Sequence, residues 1–186
     1  MTVLLTILAV IVLVGLFAAY AFNKLRRLDI GAQEALGGID VQLTRRADLI
    51  PNLVNTVKGY AQHEKGVFEE VTRARTAVKS AADNGTVAEK SAASAQLDKA
   101  IVDVLAVAEA YPDLKASTNF LELQKELSDT ENKISFARQY YNDAVARLNN
   151  IVRTIPWLLF TGMAGVQARP FYDAPDGQET APSVTF

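Results

Sequence analysis

The chain has 186 residues, enough for one domain and an appendage, and it is 49% hydrophobic but only 8% aromatic, a balance that favours an all-α fold over a β-sandwich. A net charge of −2 gives no electrostatic case for nucleic acid as a partner. The absence of cysteine removes disulfides, thiolate metal sites and thiol nucleophiles, and a single histidine precludes a multi-histidine metal site within one protomer.

The first predicted element is an anchor over residues 1–23. Residues 3–22, VLLTILAVIVLVGLFAAYAF, run twenty positions without a charge. At about 1.5 Å per residue that is about 30 Å, the thickness of a bilayer's hydrocarbon core. AYA at Ala19, Tyr20 and Ala21 resembles a small-x-small cleavage site, but no basic residue precedes the run, and the run is longer than a signal-peptide core. The expectation is a retained transmembrane helix. Lys24, Arg26 and Arg27 follow it directly, and nothing before it carries Lys or Arg. The positive-inside rule therefore puts the N-terminus outside and the rest of the chain in the cytoplasm, with the three cations near anionic head groups.

Residues 24–171 read as an antiparallel bundle of long helices. Leu28, Ala32, Ala35, Ile39 and Leu43 keep near-helical spacing, and Gly37-Gly38 offers a place to bend. A second row follows through Leu53, Val57, Tyr60, Glu64, Val67, Val71, Ala74 and Val78. Pro51 stands near its start. Either Asp48 caps a new helix with Pro51 in its first turn, or one helix runs through and kinks; both alternatives make Pro51 a change of direction. ADNGT at residues 82–86 is turn chemistry, and the next helix is expected over residues 87–110, ended by Pro112.

The last helix, residues 118–154, gives the clearest signal. Phe120, Leu127, Ile134, Tyr141, Leu148 and Ile155 recur every seven residues, with Leu123, Thr130, Ala137, Ala144 and Ile151 in the companion row. Such a helix requires partner helices, neighbouring protomers or both. After Pro156 comes an apolar patch around Trp157 that is too short to span a bilayer. The favoured expectation is a segment closing the bundle; a membrane-interface contact anchored by Trp157 and docking on another protomer are the alternatives. Residues 172–186 read as a disordered tail.

The chemistry is sparse. His63 and Glu64 are adjacent, so on a helix they would diverge by about 100° and share no site, and Val67 stands where HExxH needs its second histidine. Glu64 is expected to pair with Arg45, Arg46 or Arg138. Gln124, Glu131 and Arg138 lie beside the last helix's heptad row, and Ser128, Ser135, Asn142 and Asn149 form another seven-residue row, the kind of polar flank that sets register. No catalytic, cofactor or metal site is expected.

RRADLIPNLVNTVKGYAQHE at residues 45–64, together with the run from AYPDLKA at residues 110–116 through ENKISFARQYYN at residues 131–142, resembles the LemA family. The resemblance extends from the anchor to about Phe171; IPWLLFTGM departs from the family pattern. It implies a single N-terminal transmembrane helix with an extracytoplasmic N-terminus, a cytoplasmic helical bundle in a bacterial inner membrane, and no accepted enzymatic activity. The function expected is therefore a non-catalytic, membrane-anchored scaffold that forms homo-oligomers through its bundle. The alternative is an adaptor for another membrane protein such as a protease. Lys24, Arg26, Arg27 and Trp157 are the expected lipid-facing residues. Arg45, Arg46, Glu64, Glu131, Arg138 and Tyr141 are the expected interaction and register residues.

Overall fold

A computed structural model of the chain describes residues 1–61 and 63–172. The elements are α1 (Thr2–Lys58), α2 (Lys65–Asn84), α3 (Val87–Glu109), α4 (Pro112–Lys115), α5 (Thr118–Val152), a 3-10 turn (Trp157–Phe160) and α6 (Thr161–Ala164). The fold is all-α, with no strand among the described residues. The expected tail lies outside them except for Tyr172, which is buried. Two units can be distinguished, Met1–Leu36 with Gln139–Phe171, and Gly37–Arg138 with Tyr172; α1 and α5 supply residues to both.

In the first unit, residues 1–17 of α1 are all exposed among the described residues, and α1 is long and apolar enough to cross a membrane. Burial begins at Ala21 and recurs at Leu25, Ala32 and Ala35, matched on α5 by Tyr141, Val145 and Leu148. The chain then returns alongside these helices and is pinned by polar contacts. Tyr141 donates its hydroxyl to the Pro170 carbonyl at 2.8 Å. The Asn149 amide donates to the Arg169 carbonyl and accepts the Arg169 N–H, both at 2.9 Å. Arg169 Nε then reaches Asp29 at 2.7 Å. Gly165 supplies the left-handed residue (φ 62°) that ends α6.

The second unit is built on antiparallel neighbours. Lys79 of α2 pairs with Asp48 of α1 at 2.9 Å, and Gln96 of α3 meets Glu70 of α2 at 3.2 Å. At the α2–α3 turn the Gly85 N–H donates to the Ala81 carbonyl at 2.7 Å. A Cβ at Gly85 would lie 2.6 Å from that oxygen, so the turn needs glycine. Thr86 then caps α3 in a reciprocal box with Glu89, a T-x-x-E signal present in the sequence. Arg138 of α5 meets Ser94 of α3, while Glu131 reaches the level of Asp98, so these helices also run antiparallel.

The helix leaving the apolar run continues through Gly37-Gly38 and through Pro51, so of the two alternatives at Pro51 the single helix holds and Asp48 caps no new one. The expected row through Tyr60 and Glu64 is corrected: the chain leaves α1 after Lys58, so both fall in the link before α2 rather than in a continuing helical row. A proline inside a helix deprives the carbonyl four residues earlier, here that of Ala47, of its N–H donor. Arg75 of α2 takes that vacancy, donating from Nε to the Ala47 carbonyl at 2.9 Å. The proline thus creates a docking point for the neighbouring helix.

Arg75→Ala should cost about 1.5 kcal/mol, the low end for a charged donor because part of the side chain stays in water. In a Pro51→Ala background the restored amide satisfies Ala47, and the same substitution should cost under about 0.5 kcal/mol. Denaturant unfolding of the four chains measures the difference; equal losses in both backgrounds would show that the carbonyl contact contributes nothing.

Candidate functional site

The inward row of α1 in the second unit is Ile39, Leu43, Arg46, Ile50, Leu53 and Val57, alternating steps of four and three. Arg46 thus occupies a position otherwise filled by aliphatic side chains, and it is only 6% exposed. One guanidinium nitrogen donates both to Asp98 of α3 and to Glu131 of α5, the latter at 2.6 Å. A buried guanidinium holds its place only where carboxylates converge on it, because stripping its water costs several kcal/mol.

α3 supplies a matching row. Lys90, Ser94 and Asp98 are spaced by four and therefore share a face. Buried Lys90 pairs with Asp40 of α1 and donates to the Ala82 carbonyl at 2.9 Å, satisfying an acceptor in the last turn of α2. Arg138 donates to the Ser94 hydroxyl at 2.7 Å and lies 5.1 Å from the centre of the Tyr172 ring. The result is a polar seam of three groups, Asp40–Lys90, Ser94–Arg138–Tyr172 and Arg46–Asp98–Glu131, drawn from α1, α3, α5 and the segment after α6.

Burial raises the Asp98 pKa above its ordinary value; attraction to Arg46 opposes the rise and repulsion from Glu131 adds to it. Burial likewise raises Asp40 despite the hydrogen bond from Lys90, and raises the Tyr172 hydroxyl. Chemically, the seam consists of charges holding one another in place. Among the described residues, no group of three or more His, Cys, Asp or Glu side chains is placed to hold a metal ion.

Of the expected register residues, the structure joins Arg46 with Glu131 and seats Arg138 in the same seam. It places Tyr141 in the first unit, on Pro170. Arg45 is exposed, and Glu64 makes no ion pair with Arg45, Arg46 or Arg138 among the described residues, because the link after α1 carries it out of the helical row. His63 is exposed in the same link. Sequence reasoning missed Asp98, Lys90, Asp40 and Ser94. For the three on α3 the available signal was the four-residue spacing of Lys90, Ser94 and Asp98 beside Leu97, Ile101 and Val104, a polar line at the margin of an apolar one.

A second cluster lies in the first unit, at the end of the apolar run. The Trp157 ring lies 5.8 Å from Phe17 and 5.7 Å from Tyr20, and Phe160 meets Phe17 edge-on at 5.6 Å. The Lys24 ammonium sits 4.3 Å above Trp157. Arg26 approaches Asp29 at 3.9 Å, and Arg27 is exposed. A segment that merely closed a bundle would turn its apolar side chains inward, yet Leu158, Leu159 and Met163 face outward, Leu159 with 74% of its surface exposed. Ile155, the last member of the heptad row, is also exposed, because α5 ends at Val152.

Neutralising either carboxylate alone leaves Arg46 a counter-charge. Asp98→Asn and Glu131→Gln should each change stability by no more than about 1 kcal/mol, whereas the double variant should lose about 3 kcal/mol, well beyond their sum. Chemical unfolding of the three variants reads this, and additive losses would contradict the shared-guanidinium arrangement. The pH dependence has a defined sign. Because the folded pKa of Asp98 lies above the ordinary 3.8, its contribution is fully present below that value and is lost as pH rises through the folded one. Asp98→Asn should flatten that fall in acid-range unfolding midpoints; an unchanged slope would contradict it.

Comparison with known proteins follows from this geometry. No curated protein matches the chain. A family model described as the LemA family matches residues 35–186, starting beyond the apolar part of α1 rather than in the anchor, and covering the whole polar seam. With most of its length matched, the chain belongs to the LemA family.

Proposed function

We propose that the chain is a membrane-anchored structural protein whose helical bundle associates with copies of itself. The apolar start of α1 crosses the bacterial cell membrane with its N-terminus outside, and Lys24, Arg26 and Arg27 hold the remainder on the cytoplasmic side. Catalysis has no part in this reading. A site of charges from different helices that pair with one another suits a part whose job is to keep its shape.

One observation carries the self-association. The inward heptad row of α5 (Phe120, Leu127, Ile134, Tyr141 and Leu148) is buried within the chain, yet the same helix leaves Phe136 72% exposed in the second unit and Tyr140 63% exposed in the first. Exposed aromatic rings on a helix are the residue types enriched in protein interfaces. Anchoring in one plane raises the local concentration of bundles, so weak contacts between them suffice. An adaptor that presents the same rings to a different membrane protein is the alternative, and particle mass separates the two.

Gently extracted full-length chain should form particles of several protomers, and Phe136→Asp with Tyr140→Asp should reduce them to monomers. Because both side chains are exposed, that change should leave unfolding within about 0.5 kcal/mol. A monomeric parent chain would sink self-association and favour the adaptor.

A further inference from the structure

The first unit contains a groove of about 550 Å³ between the turn of α1 that follows the apolar run and the last turns of α5. Lys24, Arg27 and Arg147 supply its charge, while Tyr20, Leu28 and Ile151 supply an apolar wall; no carboxylate lines it. Arg27 and Arg147 are exposed and make no ion pair among the described residues, whereas neighbouring Arg26 faces Asp29. Two free guanidinium groups therefore share one concave surface with an ammonium, an arrangement suited to bidentate binding of phosphate oxygens.

Depth identifies the source of that phosphate. The apolar run ends at Phe22, so along a helix Lys24 stands about 3 Å and Arg27 about 8 Å beyond the hydrocarbon edge. The polar head-group layer occupies about 5–8 Å on each side of the bilayer core. The cations thus sit at the level of lipid phosphates. The aromatic cluster of Trp157 with Phe17 and Tyr20 marks the same boundary, where amphipathic rings collect, and the outward Leu158, Leu159 and Met163 continue the apolar surface beside it.

We infer that this groove binds the phosphate head group of an anionic phospholipid. The apolar wall receives the glycerol end of the acyl chains, and the 3-10 turn and α6 lie in the interface beside it. The inference rests on α1 crossing the membrane and is independent of self-association. Arg27 and Arg147 are its recognition residues, and Trp157 with Lys24 sets its depth.

The test uses the full-length chain reconstituted in phosphatidylcholine bilayers with and without phosphatidylglycerol, with native mass spectrometry counting the lipids retained on the released protein. Phosphatidylglycerol should be retained in preference to phosphatidylcholine, and millimolar inorganic phosphate should not displace it. Each basic residue near the surface contributes about a fivefold preference, so Arg27→Gln with Arg147→Gln should weaken retention about thirtyfold. Arg26→Gln should change it less than twofold. Equal retention of the two lipids by the unmodified chain overturns the site without recourse to any variant. Displacement by inorganic phosphate overturns the lipid as its source. Release of the chain from bilayers by alkaline carbonate overturns the membrane crossing itself, whereas a chain that resists carbonate but shows no lipid preference overturns the groove alone.

Discussion

A guanidinium placed in an apolar helical row loses its water, and the second unit is arranged around that loss. Arg46 stands between Leu43 and Ile50 on α1, and the carboxylates that meet it come from two other helices, Asp98 of α3 and Glu131 of α5. Sliding α1 by one turn would set the charge against Ile101 or Ile134 with no counter-charge, a change costing several kcal/mol. The aliphatic rows cannot supply that discrimination. Phe120, Leu127 and Ile134 repeat every seven residues, and one heptad packs much like the next. Ion pairs of this kind add little net stability over apolar packing, so register is the role proposed for the seam.

The proline shows the same economy of means. Pro51 removes an N–H from α1, and Arg75 of α2 fills the gap at Ala47. Lys90 does the corresponding work at the end of α2, on the Ala82 carbonyl. In both places a long cationic side chain from the next helix completes a hydrogen bond that local backbone geometry leaves open. Helix ends and interruptions become the points at which neighbours are located.

Much of this was legible in the sequence, for identifiable reasons. Heptad spacing marked α5 to within two residues of its end, and an uncharged run marked the apolar start of α1, because each follows from a periodicity or a length. Arg46 and Glu131 were expected in a common network because each fell on or beside a heptad row. Their third partner, Asp98, was not, since pairing between helices depends on rotation about the helix axis and local spacing carries no record of it. The choice between one helix through Pro51 and a new helix starting there stayed open for a related reason: the compensating donor, Arg75, lies 24 residues away in sequence, so local rules weigh only the loss. Glu64 was misplaced because its row extended across a link that GYAQHE, residues 59–64, does not signal with proline or a strong turn pair. The grip of Asn149 on Arg169 was half visible, as a polar row without a known occupant.

The register claim is tested most directly by a distance distribution. Spin labels at Val41 on α1 and Asn132 on α5, both exposed, report the relative position of the two helices in the second unit. The parent chain should give one narrow distribution. If Arg46 fixes the register, Arg46→Met should leave the chain helical but broaden or split that distribution by steps of about 5 Å, one helical turn. A distribution unchanged by the substitution would show that apolar packing alone sets the alignment.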